Sequence, residues 1–314
     1  MKAAVVERYG PPEVVEVREV PAPSLGRSGR VLVRVHAAAV TSADSRIRGA
    51  RFPRGFGPFA RLAFGVRRPR RPVLGGVFSG VVEEVGRGVT GIAVGDEVCG
   101  MTGARLGTHA ELVVARADRL AAKPATVSHE DAAGVIFGGT TALHFLGDRV
   151  RPGHRVLVNG ASGAIGTAAV QLARLAGGRV TGVCSGANAD LVRSLGAEEV
   201  VDHTTTPLTA LAGTYDVVLD TVGNVDIAGG RALLAPGGVL LLAVADLGQT
   251  IRARGDVVAG PAPEKPEHFT RLLDLVATGD LRVVVSRTLP LDDVAEAHRV
   301  VDSGRKVGNV VVTP

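Results

Sequence analysis

Asn159-Gly160-Ala161-Ser162-Gly163-Ala164-Ile165-Gly166 is the stretch on which the fold turns. It follows a short apolar run, Val156–Val158, and opens onto Gly163–Ala176. There Ile165, Ala168, Ala169, Leu172, Leu175 and Ala176 recur at helical spacing. A strand, a glycine-rich turn and a helix in that order suit a dinucleotide pyrophosphate, which needs backbone N–H groups and the positive end of a helix. In this reading Gly160 permits the turn, Gly163 lets the backbone approach the phosphates, and Gly166 allows close contact of helix with strand. Ser162 adds a hydroxyl, and Ala161, Ala164 and Ile165 complete the expected cofactor contacts of the loop. Such a turn alone is a weak signal, so its surroundings decide.

Downstream, strand and helix alternate. Val180–Cys184, Glu199–Val201, Val217–Asp220 and Val239–Val244 read as strands. Ala189–Leu195, Ile227–Leu234 and Pro266–Thr278 read as helices, and Leu281–Val285 reads as the closing strand. Six strands alternating with helices predict an α/β fold with a Rossmann-type doubly wound parallel sheet. Ligands of such sheets sit at the carboxyl ends of the strands, which adds Val222 and Val244 to the expected cofactor contacts. The turn Cys184-Ser185-Gly186-Ala187-Asn188 should meet the ribose. It holds no acid for a 2′-hydroxyl, while Ser185 and Asn188 can donate to a 2′-phosphate, which favours NADPH. Arg193 lies close by, on the next helix.

Upstream the pattern differs. Ser128-His129-Glu130-Asp131 opens a helix, with Ser128 as cap and the acids at its positive end; Thr140–Arg149 is a second helical stretch. Residues 1–120 read as short strands separated by Pro- and Gly-marked turns, with Ser42–Gly49 as the one helix of useful length. Leu289–Pro314 holds a helix, Leu291–Asp302, and a strand, Asn309–Val312, too small to stand alone; it is expected to return to the N-terminal β region.

Bulk properties narrow the classes. Of 314 residues, 46% are hydrophobic, enough for a sizeable core, and 3% are aromatic with no Trp, which disfavours an aromatic nucleic-acid platform. The net charge of +5 suits phosphate-bearing ligands or a solvated arginine-rich surface. Charges at Glu7 and Arg8 do not suit a signal peptide, and the longest apolar run, Gly237 to Ala245, is too short to span a bilayer, so no membrane partner is expected. Cys99 and Cys184 give no disulfide framework, which fits a reducing, cytoplasmic compartment.

The run Arg155–Gly166 followed by Gln171-Leu-Ala-Arg174 resembles the zinc-independent quinone oxidoreductase branch of the medium-chain dehydrogenase/reductase superfamily. Val94-Gly-Asp-Glu-Val98, Gly139-Thr-Thr-Ala142, Ser194-Leu-Gly-Ala197, Tyr215–Asp220 and Ala295-Glu-Ala-His298 extend the resemblance over the whole chain. It implies a GroES-like catalytic β domain over residues 1–122 and 281–314. It also implies a Rossmann domain over 123–280, a cleft between the two, and a homodimer formed by edge strands near Val239–Val244. The positions matching the zinc ligands of the alcohol dehydrogenases hold Thr41, Gly76 or Val77, and Phe137, none of which ligates well, and the eight His are scattered. No metal is expected.

Hydride delivery from NADPH to a quinone or an α,β-unsaturated carbonyl is the chemistry that then suits the chain. Thr41 is expected to bond the carboxamide or an acceptor carbonyl, and Thr141 matches the family threonine beside the nicotinamide. Arg46 reads either as a stabiliser of a developing oxyanion or as a solvated helix charge. Asp44 reads as a brace of the local turn. Arg51–Arg71 carries seven arginines, four of the eight phenylalanines and no acid. It reads as a lid whose rings face the substrate, with most of its arginines solvated. The alternatives are a tailoring enoyl or ketone reductase of a biosynthetic pathway, and a cofactor-binding interaction protein without turnover.

Overall fold

The computed structural model describes residues 1–211 and 214–314. The N-terminal part runs through β1 (Lys2–Val5), β2 (Glu16–Glu19), β3 (Arg30–Ala39), α1 (Ser42–Gly49), α2 (Gly57–Phe64), β4 (Val77–Val85), β5 (Glu97–Met101), β6 (Leu112–Arg116) and β7 (Leu120–Ala122). The middle part comprises α3 (His129–Leu146), β8 (Arg155–Asn159), α4 (Ala164–Leu175), β9 (Arg179–Cys184), α5 (Ala189–Ser194), β10 (Glu199–Asp202) and β11 (Tyr215–Asp220). It continues with α6 (Ile227–Leu233), β12 (Leu234–Leu242), α7 (Leu247–Arg252), β13 (Val257–Ala259) and α8 (Pro266–Ala277). The chain ends with β14 (Val285–Pro290), α9 (Val294–Asp302) and β15 (Asn309–Thr313).

The middle strands form a six-stranded sheet in the order β10-β9-β8-β11-β12-β13, parallel at every pairing. The order reverses between β8 and β11, and ligands of doubly wound sheets bind at this switch point. The glycine-rich turn leaves the carboxyl end of β8 there. The other large sheet runs β14-β15-β3-β4-β5-β7, with β6 on β3. Its β15 pairs antiparallel with β3, so the C-terminal segment does return to the N-terminal sheet.

Two expectations about the parallel sheet are corrected. Its sixth strand is β13, not Leu281–Val285. Val257–Ala259 is three residues long and follows a polar stretch, so it leaves almost no periodic trace. Leu281–Val284 is irregular, and Val285 begins β14 in the other sheet. Because β13 covers β12, Val239–Val244 is not an edge; the edge strand on that side is β13.

The predicted helices around Ser128 and Thr140 are one 18-residue helix, α3, capped by the Ser128 hydroxyl accepting from the Asp131 N–H. Gly138 and Gly139, just before the second predicted stretch, are points of close approach. A Cβ on Gly138 would lie 2.2 Å from the Ala164 carbonyl oxygen, and one on Gly139 would lie 2.7 Å from Leu272. A helix buried on several sides is apolar nearly all round. Here one buried cluster joins Ala39, Val77 and Cys99 of the mixed sheet through Ile136 and Phe145 of α3 to Val156 and Val158 of the parallel sheet. The two sheets thus share a core at α3, and the cleft opens beside it.

The segment read as a lid contains α2, an addition to the one N-terminal helix predicted. Phe52 and Phe64 stack, with ring centroids 6.2 Å apart, and pack on the core of the mixed sheet. Phe59 is 64% exposed and faces solvent. Phe52 also lines a cavity beside Arg46, so the expectation that these rings face a substrate narrows to it.

Candidate functional site

Gly160 has φ +82°, and a Cβ there would lie 2.5 Å from the Thr221 hydroxyl oxygen. Only glycine tolerates both conditions. The N–H groups of Gly160 and Ala161 donate to the Val183 carbonyl at 3.0 and 2.9 Å, and the Gly163 N–H donates to the Gly160 carbonyl at 3.0 Å. The turn is therefore held from within. The outward donors are the first N–H groups of α4, at Ala164, Ile165 and Gly166, which a helix leaves without internal acceptors. Gly166 packs as expected: a Cβ there would fall 2.1 Å from the Gly160 carbonyl oxygen. At Gly163 a Cβ would meet one atom, the Gly160 carbonyl oxygen, at 3.4 Å. The space over Gly163 is open to the cleft, a cradle that a side chain would fill.

The cleft is a cavity of about 870 Å³ whose wall includes Gly160, Ser162, Gly163, Ala164 and Ile165. A second cavity of about 630 Å³ adjoins it, sharing Arg46, Val222, Asn224 and Val244 as walls. Val222 and Val244 thus stand where the two parts meet. Buried Asp220 shapes this junction. Its carboxylate accepts from the N–H groups of Val222 and Gly223, both at 3.0 Å, and of Val225 at 3.4 Å. The Asn159 amide donates to Asp220 at 2.8 Å and to Asn224 at 2.7 Å. Burial raises the Asp220 pKa, against the pull of these bonds.

At the expected ribose end, Ser185 and Asn188 line the cavity together with His203 and Thr204. The Asn188 amide donates to the hydroxyls of Ser162 (3.2 Å) and Ser185 (3.1 Å), tying this turn to the glycine loop. The nearby acid Asp202 is occupied: the N–H and hydroxyl of Thr204 donate to it at 2.9 and 2.7 Å. Arg193 pairs with exposed Asp190 on the surface, 2.9 Å away.

α1 brings Thr41 and Arg46 to the cleft. Thr41 caps the helix. Its hydroxyl donates to Asp44 at 2.6 Å and accepts from the Asp44 N–H at 3.3 Å, while its own N–H donates to Asp44 at 2.8 Å. Asp44 is the brace expected of it, and the Thr41 hydroxyl proton is thereby engaged. Arg46 lines both cavities and its pKa is lowered by burial. Among the described residues its guanidinium has no salt-bridge partner. Thr141 is not on the cavity wall: its hydroxyl donates to the Phe137 carbonyl at 2.9 Å. The side chain that α3 presents to the cleft is Phe137. This geometry does not bring Thr141 together with Thr41 and Arg46.

Two cations on the wall were missed from the sequence, Arg305 and Lys306. They lie in the short connection from α9 to β15. Its contact with the glycine loop is a hydrogen bond from the Gly308 N–H to the Ser162 carbonyl, 2.8 Å. No local pattern announces such a contact. The main cavity wall carries Arg46, Arg305 and Lys306 and, among the described residues, no carboxylate. No helix of the described residues is long and apolar enough to cross a membrane. No cluster of three or more His, Cys, Asp or Glu suited to a metal is found among them.

Comparison with known proteins agrees with this architecture. Residues 27–125 match the family model described as alcohol dehydrogenase GroES-like domain, and residues 195–312 match the one described as zinc-binding dehydrogenase. The chain is 30% identical over 321 residues to the chloroplastic quinone-oxidoreductase QR1 of Triphysaria versicolor, covering 94% of this chain and 93% of that one. It is 29% identical over 360 residues to the mitochondrial NAD(P)H oxidoreductase RTN4IP1 of Mus musculus, covering 99% and 89%. The solved quinone oxidoreductase of Coxiella burnetii matches with a TM-score of 0.89 and 28% identity over 100% of this chain and 99% of that one. A glycine loop at the switch point of a parallel sheet, joined to a GroES-like domain across a cleft, thus has relatives along the whole chain, which belongs to the medium-chain dehydrogenase/reductase superfamily of NAD(P)H-binding oxidoreductases, alongside its quinone oxidoreductases.

Proposed function

We propose that the chain is a metal-independent reductase that uses NADPH to reduce a quinone or an α,β-unsaturated carbonyl. The observation that carries this reading is the main cavity, in which the open glycine cradle meets three cations and no carboxylate. Such a wall suits a ligand with several phosphate charges. The residues fit the dinucleotide. The first turn of α4 would hold the pyrophosphate, Ser185 and Asn188 would hold the ribose phosphate, and Val222, Val244 and Phe137 would exclude water beside the nicotinamide. When bound, the reduced nicotinamide supplies the hydride.

Arg46 is the group placed to stabilise negative charge as it develops on the acceptor oxygen. It is partly desolvated and, among the described residues, has no salt-bridge partner, which strengthens its field. Thr41 serves as a positioning residue, since its proton already binds Asp44. For Thr141 we keep a supporting place in α3 rather than a contact with substrate. Metal independence is supported by Thr41, Gly76 or Val77, and Phe137 at the positions that match the ligands of the alcohol dehydrogenases. The two unpaired, buried cysteines fit a reducing compartment such as the cytoplasm.

NADPH oxidation in the presence of small quinones and enones tests this reading; no turnover across a broad acceptor panel would sink it. Ser185→Asp tests the cofactor choice. A carboxylate at that position repels a 2′-phosphate and accepts from a 2′-hydroxyl. The variant should lose about 10-fold or more of its NADPH affinity, near 1.4 kcal/mol, and gain affinity for NADH, measured by fluorescence titration. A persisting NADPH preference would move the ribose-phosphate pocket elsewhere.

A further inference from the structure

We propose that an arginine-lined hollow in the GroES-like part of the chain, where β3 begins and β6 ends, is a second anion site that holds a diphosphate group. It is independent of the cofactor reading, since none of its wall residues lines either cavity of the cleft.

The hollow has two lobes. The larger, of about 560 Å³, is walled by Arg27, Arg30, Arg105 and Arg116, with Ser28 and Thr90 among them. The smaller, of about 200 Å³, has Arg105, Arg116 and Arg119 on its wall. Arg105 and Arg116 belong to both, so five guanidinium groups from three separate stretches of chain converge. The one carboxylate on either wall, among the described residues, is that of Asp118. It pairs with Arg116, and Glu264 pairs with Arg119 at 2.9 Å, which leaves Arg27, Arg30 and Arg105 without a salt-bridge partner among the described residues.

The backbone gathers these charges against their repulsion. Arg30 of β3 lies directly opposite Arg116 of β6, and like charges so placed are destabilising. Arg105 stands on a short turn, Gly103–Arg105, that ends on Leu106. Leu106 is buried and has φ +56°, a conformation that a non-glycine residue keeps only where its surroundings impose it. The turn that presents Arg105 is therefore fixed. Burial, with Arg30, Arg116, Arg27 and Arg119 close by, lowers the Arg105 pKa, so the repulsion converges on the residue that joins the two lobes. A bound anion would relieve it. Three uncompensated guanidinium groups around one hollow suit a ligand with several charges in a small volume, which a diphosphate has and a single carboxylate lacks. Arginine also binds phosphate oxygens in pairs, and the Ser28 and Thr90 hydroxyls add donors.

The test is calorimetric titration of the full chain with pyrophosphate at low salt, with ADP, citrate and hexaglutamate as comparison ligands and thermal melts alongside. It is run on the unsubstituted chain and on Gly163→Val, whose filled cradle keeps pyrophosphate out of the cleft. Pyrophosphate should bind in both backgrounds, and Arg105→Gln and Arg30→Gln should each weaken that binding about 10-fold. NADPH affinity should stay unchanged in both arginine variants. Neither should melt below the unsubstituted chain in the absence of ligand, because each removes a repelling charge. ADP bound as tightly as pyrophosphate would assign the diphosphate to a nucleotide, and pyrophosphate bound alone would assign it to the free ion; either result supports the site. Pyrophosphate binding that Arg105→Gln and Arg30→Gln leave unchanged overturns it. So does a rise in melting temperature that sodium chloride of equal ionic strength reproduces, which is screening without a site. Citrate or hexaglutamate bound in preference to pyrophosphate overturns the diphosphate assignment.

Discussion

Gly163→Val is expected to weaken NADPH binding by at least about 100-fold, roughly 3 kcal/mol, while leaving the melting temperature close to that of the unsubstituted protein. The two halves of this expectation come from different atoms. Gly163 has extended backbone angles that valine also adopts, φ −81° and ψ 176°. A Cβ there meets only the Gly160 carbonyl oxygen, at 3.4 Å, so the folded chain has room for the change. That room is the cradle in front of the first N–H groups of α4, and two methyl groups in it would hold a phosphate off those donors. Gly166→Val makes the contrasting control. Its Cβ would sit 2.1 Å from the Gly160 carbonyl oxygen and 2.7 Å from the Ala161 Cα, both backbone. It should lose about 3 kcal/mol or more of stability, as overpacked sites do. Fluorescence titration and thermal melts on both variants separate the cases. Unchanged NADPH affinity in Gly163→Val would refute the cradle assignment.

The difference between these glycines shows what the sequence discloses. The order strand, glycine turn, helix is local, and so is the alternation that follows it. Residues close in sequence generate both, so the parallel sheet and its switch-point loop could be read directly. The Thr41–Asp44 cap was legible for the same reason, being a contact three residues long. Reading failed where the deciding contact is distant. α3 reads as two stretches because the space its Gly138 and Gly139 leave is set by α4 and α8, far away in the chain. β13 is too short to carry a period and exists because β12 offers it an edge. Arg305 and Lys306 reach the cleft because Gly308 bonds to Ser162, far away in the chain. Arg46 had two readings that sequence could not separate, and its place on both cavity walls is a fact of packing.

The second large effect is expected at Asp302→Ala, which should cost about 3–5 kcal/mol and lower the melting temperature by on the order of 10 °C. Arg48 is fully buried. Its guanidinium donates to Asp302 at 2.5 Å, to the Gly10 carbonyl, and to His298 Nδ1 at 3.3 Å. Asp302 also accepts from Ser45 and pairs with Arg51 at 2.6 Å. Burial alone would raise the Asp302 pKa, but the bonds from Ser45, Arg48 and Arg51 outweigh it and hold the carboxyl below its ordinary value. Removing the carboxylate leaves Arg48 charged in a dry site without its anion, the unfavourable half of a broken buried pair. Arg48→Met combined with Asp302→Leu removes both charges and should recover much of the loss, because apolar replacement of a whole buried pair is often neutral. A double variant as unstable as Asp302→Ala would show that the packing around the pair, not the stranded charge, sets the cost. The same cluster predicts acid sensitivity. Burial, with His109 and Arg48 nearby, holds the His298 pKa well below its ordinary value. Below about pH 6.5 the unfolded chain takes up a proton that folded His298 refuses, so stability should fall as pH drops through that point. The consequence reaches the cleft, because this ion pair joins α1, which carries Arg46, to α9, which leads into Arg305 and Lys306. Loosening it should therefore raise the apparent KM for cofactor and lower acceptor turnover even at temperatures where Asp302→Ala is still folded. A variant that is destabilised but kinetically unchanged would show that the cations of the cleft are held in place by other contacts.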